Sequence, residues 1–262
     1  MGRSLALANK VDLNCDMGES FGPWTIGDDK AVFPYITSAN VACGFHGGDP
    51  RIMAQTVETA KKLGVGVGAH PGFADLVGFG RRNLDVSATE ARTDVLYQIG
   101  ALAGFCRRYG VSLQHVKPHG QLNNLAMHNR TLADAIVAGI RDFDPDLIIV
   151  AYGGELVRAA NAQNMRVAYE VYADREYNRD GTLVSRKLPD SVITDRYRVV
   201  ERAIQMVKTG EVMAMDGSLL TLPVHTICVH GDTPGASTLV AELRQALSQS
   251  DIEVMPLSRV VP

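Results

Sequence analysis

The chain has 262 residues, 46% hydrophobic and 21% charged, which excludes a disordered, collagen-like or coiled-coil protein and is enough sequence for a barrel-sized domain. With 26 basic and 29 acidic residues the net charge is −3, and no long Lys/Arg cluster occurs, so nucleic acid is not an expected partner. Cys15, Cys43, Cys106 and Cys228 lie far apart without a CxxC pair, which argues against a disulfide framework or structural zinc and for a reducing cytoplasm. The apolar patch at 5–8 is too short for a signal sequence and the run at 147–152 is far below the ~20 residues of a membrane span, so a soluble cytoplasmic protein is expected.

In chain order, short β-like runs alternate with helical patterns, as in βα units with a parallel sheet. Strands are expected at 11–16, 37–43, 65–70, 113–118, 147–152, 166–171 and 226–230. Helix starts are marked by Asp49-Pro50, by Ser87 with Glu90 as a capping box, and by Thr233-Pro234; helix stops are marked by Gly64, Gly110 and Gly210. Val95, Ile99, Leu102 and Cys106 make one apolar stripe, and Leu132, Ile136, Ile140 and Phe143 another. Residues 212–225 break the alternation and read as an inserted β-hairpin with a type I′ turn at Asp216-Gly217. No repeat or linker divides the chain, so 1–262 is expected to be one domain.

Strand parity separates a barrel from an open sheet. Asp12, Asn14 and Asp16 share one face of the first strand, and Val11, Leu13 and Cys15 the other. Gly64, Gly66, Gly68 and His70 oppose Val65, Val67 and Ala69, while His115, Lys117 and His119 oppose Val116. An open sheet covered by helices on both sides needs two apolar faces, whereas a barrel accommodates a polar inner face near one rim. The glycines on the His70 face are expected to leave room inside the barrel beneath that rim.

The C-terminal strand ends, where barrel active sites lie, gather Asp16 and Glu19, then His46, His70, Lys117 and His119, then Glu170, Asp174 and Arg175, and finally His230 and Asp232. Each has a structural reading when taken singly. Asp49 and Thr233 suit helix caps, Cys15 and Cys43 core thiols, and His115 a buried hydrogen-bonder; His128 and His225 fall in surface segments. Four histidines at one rim are harder to dismiss. Two chemistries suit them: a divalent metal on Asp16, His46 and His70 that polarises a carbonyl and activates water, or metal-free acid–base catalysis with Lys117 stabilising negative charge. Phosphate-loop, dinucleotide and G-x-S-x-G motifs are absent; Gly78-Phe79-Gly80-Arg81-Arg82 suits either an anion site or solvated arginines.

Seven motifs in order resemble the LamB/YcsF family, the family of the 5-oxoprolinase A-subunits. They are Val11-Asp12-Leu13-Asn14-Cys15-Asp16-Met17-Gly18-Glu19-Ser20-Phe21-Gly22, Ser38-Ala39-Asn40-Val41-Ala42-Cys43-Gly44-Phe45-His46, Gly68-Ala69-His70-Pro71-Gly72, Gly78-Phe79-Gly80-Arg81-Arg82, Val116-Lys117-Pro118-His119-Gly120, Ala173-Asp174-Arg175 and Cys228-Val229-His230-Gly231-Asp232. The resemblance implies an irregular seven-stranded β/α (TIM-like) barrel of the glycoside hydrolase/deacetylase kind. It also implies ATP-dependent opening of 5-oxo-L-proline to L-glutamate together with subunits B and C. Gln121 and Asn123 stand where the family usually has Ala and Tyr, and Gly47 where Ala is common.

On that reading Asp16, His46, His70, Lys117 and His119 are the catalytic candidates. Lys117 stabilises the oxyanion, Asp16 orients a histidine or water, and Arg175 holds the substrate carboxylate as a fork. Asn14, Glu170, Asp174, His230 and Asp232 complete the expected substrate site. A metal-dependent deacetylase or amidohydrolase, and a non-catalytic substrate-binding subunit, are the alternative functions.

Overall fold

A computed structural model describes residues 9–229 and 235–261; the expected site residues His230 and Asp232, and the Thr233-Pro234 helix start, lie outside them. Strand β1 (Lys10–Met17) leads through the single-turn helix α1 (Asp29–Val32) to β2 (Ser38–Ala42). Then follow α2 (Pro50–Leu63), β3 (Gly66–His70), α3 (Ala88–Tyr109), β4 (Leu113–Val116), α4 (Gly120–Ala126), α5 (Arg130–Phe143), β5 (Ile148–Ala151), α6 (Gly154–Ala162) and β6 (Arg166–Val171). A long excursion carries α7 (Arg196–Thr209), β7 (Glu211–Met213) and β8 (Leu219–Thr221) before β9 (Thr226–Val229), α8 (Ala236–Gln249), β10 (Glu253–Val254) and α9 (Leu257–Val260).

β1 to β6 and β9 pair in parallel and close through β1 and β9, in register from Asp12 with Thr226 to Cys15 with Val229. All seven expected strands are present. The barrel is irregular: β6 meets β9 over only two residue pairs, and β10 takes the edge of β1 just before β9 does, at Lys10 and Val11.

The helices form where their sequences cap them. Asp49 accepts from the N–H groups of Arg51 and Ile52, Ser87 and Glu90 make the reciprocal capping box, and Gly64, Gly110 and Gly210 end their helices in the left-handed region. Outward strand residues such as Leu13, Cys15, Val41, Val67 and Ile149 pack with Val57, Val95, Ile99, Leu102 and Ile136 in the main core. Each such aliphatic side chain contributes roughly 1.5–3 kcal/mol by leaving water. The alternate β5 residues Ile148 and Val150 join Ala168 and Leu257 in a separate small cluster, which matches their opposite face.

The excursion hairpin forms, with Val212 opposite Leu220, but its turn is not type I′. Gly217 alone has positive φ, the Gly217 N–H donates to Ala214 O, and Ala214 N–H donates to Ser218 O. A tight turn followed by a left-handed glycine therefore closes a longer loop, because Asp216 would be strained at positive φ. The space opposite Gly66 and Gly68 is also not empty. A Cβ on Gly68 would collide with the His115 ring at Nε2, and one on Gly66 with the Gln114 amide, so these glycines admit neighbouring side chains and not a ligand. Among the described residues no helix is long and apolar enough to cross a membrane.

Candidate active site

The inner faces of β1, β2, β4, β6 and β9 build a buried polar column. At its base Asp12 accepts from Thr37 Oγ1 (2.7 Å), Ser38 Oγ (2.6 Å) and Thr226 Oγ1 (2.5 Å). Burial nevertheless pushes its carboxyl up to about 6, against the lowering by those hydroxyls. One step higher, Asn40 donates to Asn14 Oδ1 (2.7 Å) and Asp16 Oδ1 (2.8 Å), and its own Oδ1 accepts from His115 Nε2 (2.7 Å). Burial, with Lys117 and His70 nearby, pushes His115 down to about 3, so this ring is neutral.

Lys117, just beyond β4, tops the column. Its buried Nζ lies 2.8 Å from Glu170 Oε1, 3.0 Å from Asp16 Oδ1, 3.3 Å from Asn14 Oδ1 and 3.2 Å from Cys228 Sγ. Burial opposes its charge, but Asp16, Cys228 and Glu170 outweigh it and hold the ammonium well above the usual lysine range. Burial likewise works to raise the Asp16 carboxyl, and His70 and Lys117 more than offset this, keeping it well below the usual carboxylate range. Tyr172 donates to Glu170, and Asn14 Nδ2 donates to the same carboxylate at 3.0 Å.

Beside this cation stands a cluster from four different strand ends. His46 Nε2 is 3.1 Å from Glu19 Oε1, which is 3.5 Å from His119 Nδ1; His119 Nδ1 is 3.0 Å from His70 Nε2, which is 3.3 Å from Asp16 Oδ2. His46 and His119 stack face to face at 3.6 Å. Burial, and then the other histidines, push His46 and His119 well below the usual range, while burial and the Asp16 charge raise Glu19. One donor atom from each of Glu19, His46, His70 and His119 falls within 4.8 Å of the others, so these side chains form a possible metal-binding site.

Asp16, His70, Lys117 and His119 open onto a cavity of about 700 Å³, walled also by Tyr152, Tyr172, Arg175 and the segment 182–187. That volume suits a small molecule. Asn123, one of the departures from the family pattern, is in its wall, and Gln121 is tied to Asn83 at 2.5 Å.

The structure thus gathers Asn14, Asp16, His46, His70, Lys117, His119 and Glu170, and corrects other expectations. Arg175 reaches the cavity, but Nη2 donates to Val184 O (2.6 Å) and Nε to Ser191 O (3.4 Å), so that edge of the fork is not available to a substrate carboxylate. Asp174, in the turn that follows β6, lines a separate hollow with Ile193, Ile227 and Val229.

The Gly78 to Arg82 loop is not an open anion cradle. Arg82 pairs with Asp75, and the N–H groups of Gly78, Phe79, Gly80 and Arg81 all donate within the loop. His225 is half-buried and accepts from Tyr169 N–H at 3.0 Å, while His128 is exposed. Asn40 was missed as part of the site, although its parity with Ser38 and its register with Asp16 point inward. Glu19 sits in the metal-type cluster in place of Asp16, and no periodicity marks it because it follows the strand.

The profile of the LamB/YcsF family matches residues 11–262. A 5-oxoprolinase A-subunit from Clostridium beijerinckii is 49% identical over 252 residues, 96% of this chain and 99% of its own. The crystal structure of a lactam utilization protein from Thermus thermophilus superposes with a TM-score of 0.90 at 45% identity, covering 94% of this chain and 99% of that one. A T48 deacetylase solved with substrate gives a TM-score of 0.52 at 14% identity over 99% of this chain and 94% of its own, a likeness of fold alone.

Proposed function

The chain belongs to the LamB/YcsF family, and on that footing we propose that it opens the lactam ring of 5-oxo-L-proline to L-glutamate, coupled to ATP, as the 5-oxoprolinase A-subunit in an assembly with subunits B and C. The observation that carries this reading is Lys117, an ammonium fixed between Asp16 and Glu170 at the floor of a small-molecule cavity, with a histidine array beside it.

A five-membered lactam is little strained and its amide is resonance-stabilised, so ring opening gains little by itself. Phosphorylation of the lactam oxygen by ATP supplies the drive, and the absence of a nucleotide-binding motif in this sequence supports sharing that step with the other subunits. In the ring-opening step water adds to the carbonyl carbon of the O-phosphorylated ring, the C–N bond breaks as the nitrogen gains a proton, and a second water then cleaves the resulting acyl phosphate to glutamate and inorganic phosphate. Lys117 Nζ stabilises the negative charge that develops on oxygen, an interaction typically worth 10²–10³ in rate. Asp16 accepts the proton of the attacking water and passes it on to the departing nitrogen, with the histidines packed beside it. Asn14 and Tyr172 keep Glu170 in place behind Lys117.

The test is to incubate the chain with 5-oxoproline and ATP, with and without subunits B and C, and measure glutamate and phosphate. Glutamate formed only by the full set, and lost with Lys117→Met, supports the proposal. Turnover by the full set that survives both Lys117→Met and His119→Ala overturns it. ATP-independent amide hydrolysis by the isolated chain would favour the amidohydrolase reading, which the Glu19/His46/His70/His119 cluster makes the specific alternative.

A further inference from the structure

The partners of His70 and His119 fix which of their nitrogens carry hydrogen. His70 Nδ1 lies 2.6 Å from the Lys117 carbonyl oxygen, and His119 Nε2 lies 2.8 Å from that of Phe79. A carbonyl only accepts, so both nitrogens are donors, and in neutral rings the opposite nitrogens are bare lone pairs. Those lone pairs, on His70 Nε2 and His119 Nδ1, face each other at 3.0 Å. Two carboxylate oxygens adjoin them, Asp16 Oδ2 at 3.3 Å from His70 Nε2 and Glu19 Oε1 at 3.5 Å from His119 Nδ1. Acceptors gathered in this way repel one another unless a cation lies among them. His46 plays another part: its Nε2–H donates to Glu19 Oε1 at 3.1 Å, while its buried Nδ1 has no hydrogen-bond partner among the described residues.

We propose that Glu19 Oε1, His70 Nε2 and His119 Nδ1 bind one divalent transition-metal ion of the Zn²⁺ type, with His46 holding Glu19 in position. Bonds of about 2.0–2.1 Å in a tetrahedron require ligand-to-ligand edges of roughly 3.3 Å; two of the three edges here are 3.0 and 3.5 Å, and the cluster's ligand atoms all lie within 4.8 Å of one another. Two imidazoles and a carboxylate without thiolate select zinc or a neighbouring first-row ion over Mg²⁺ or Ca²⁺. Each ligating ring already donates its far N–H to a backbone carbonyl, the arrangement that orients metal-bound histidines elsewhere. Three protein ligands leave a position open, on the side where His70 and His119 line the cavity. Such an ion, when bound, polarises a carbonyl and makes water more acidic.

This set differs from the Asp16, His46 and His70 expected from sequence. Asp16 Oδ1 is engaged by Lys117 and Asn40 while its Oδ2 stands beside the set, 3.3 Å from His70 Nε2, and His46 turns its Nε2 to Glu19.

The test is equilibrium dialysis of the full chain against Zn²⁺ and, separately, Co²⁺, without lactam, ATP or partners, so its outcome is independent of the glutamate assay. One ion per chain is expected, with the intense visible absorption of four-coordinate Co²⁺. Glu19→Gln and His119→Ala should abolish that signal while thermal unfolding shows a folded chain. His46→Phe should weaken binding about 10–100-fold, and His225→Gln should leave it unchanged. Glu19→Gln keeps an acceptor for His46, so it remains informative if His119→Ala fails to fold.

The rival occupant of the space is a proton. Failure of the folded wild-type chain to retain either ion, with imidazole nitrogen NMR showing His70 doubly protonated at neutral pH, overturns the proposal. Stoichiometric binding that survives Glu19→Gln and His119→Ala also overturns it.

Discussion

In the inner layer of the barrel Asp12 is surrounded by three hydroxyl donors and Asn40 is matched on both ends of its amide, whereas at the rim His70, His119 and Glu19 turn acceptors toward one another. Both layers are buried and both are polar, so burial alone does not separate structure from function. Satisfaction does. A closed set of donors and acceptors has nothing left to offer a ligand, while a set with an excess of acceptors is arranged around a cation. Lys117 stands between the two, with its charge already balanced by the column below and its tip at the cavity floor.

The largest break in this contrast comes from removing Lys117. Lys117→Met leaves Asp16 and Glu170 without their buried cation, and a loss of about 3–5 kcal/mol is expected in denaturant unfolding, along with a fall of 10²-fold or more in glutamate formation by the reconstituted assembly.

Substitutions in the inner layer should instead cost stability while leaving ion binding intact. Gly68→Ala drives a methyl into the His115 ring, and about 1–3 kcal/mol of destabilisation is expected. Pairing it with His115→Ala should recover part of that, as read by a double-mutant cycle. Full additivity of the two changes would show that the ring is not what Gly68 accommodates.

The inner layer should also carry a pH signature. The Asp12 carboxyl is at about 6 in the folded chain against an ordinary value of 3.8, so the folded state holds this proton more tightly than the unfolded state does. Its contribution to stability is therefore complete below pH 4 and is lost as pH rises from about 4 to 6, by on the order of 2–3 kcal/mol. Unfolding curves across that range should flatten in Asp12→Asn. An unchanged slope would remove Asp12 as the source.

The smallest effect belongs to the excursion, which lies outside both layers. Gly217→Ala at φ +84 should cost about 1 kcal/mol and leave metal content and turnover unaltered.

Much of this contrast was legible without coordinates. Alternation at period two marked Asp12, Asn14 and Asp16 as inward, and placed Cys15 in the outer core, because a strand offers its side chains only two directions. Helix ends at Asp49, Ser87, Gly64 and Gly210 were readable because caps are satisfied within a few residues. The same local logic misjudged Asp216-Gly217, where the dipeptide alone does not fix the loop length. It also misjudged Arg175, whose partners lie 9 and 16 residues away along a loop.

The sequence by itself determined seven strands, their inward faces and a histidine-rich rim, since these follow from periodicity and from the short reach of backbone hydrogen bonds. Only the tertiary structure decided that Glu19 joins His46, His70 and His119 in a possible metal-binding cluster, that Asp174 faces elsewhere, and that Gly68 makes room for a histidine. Those outcomes depend on distances between atoms brought together by barrel closure, and the direction of a loop side chain has no period from which to be read.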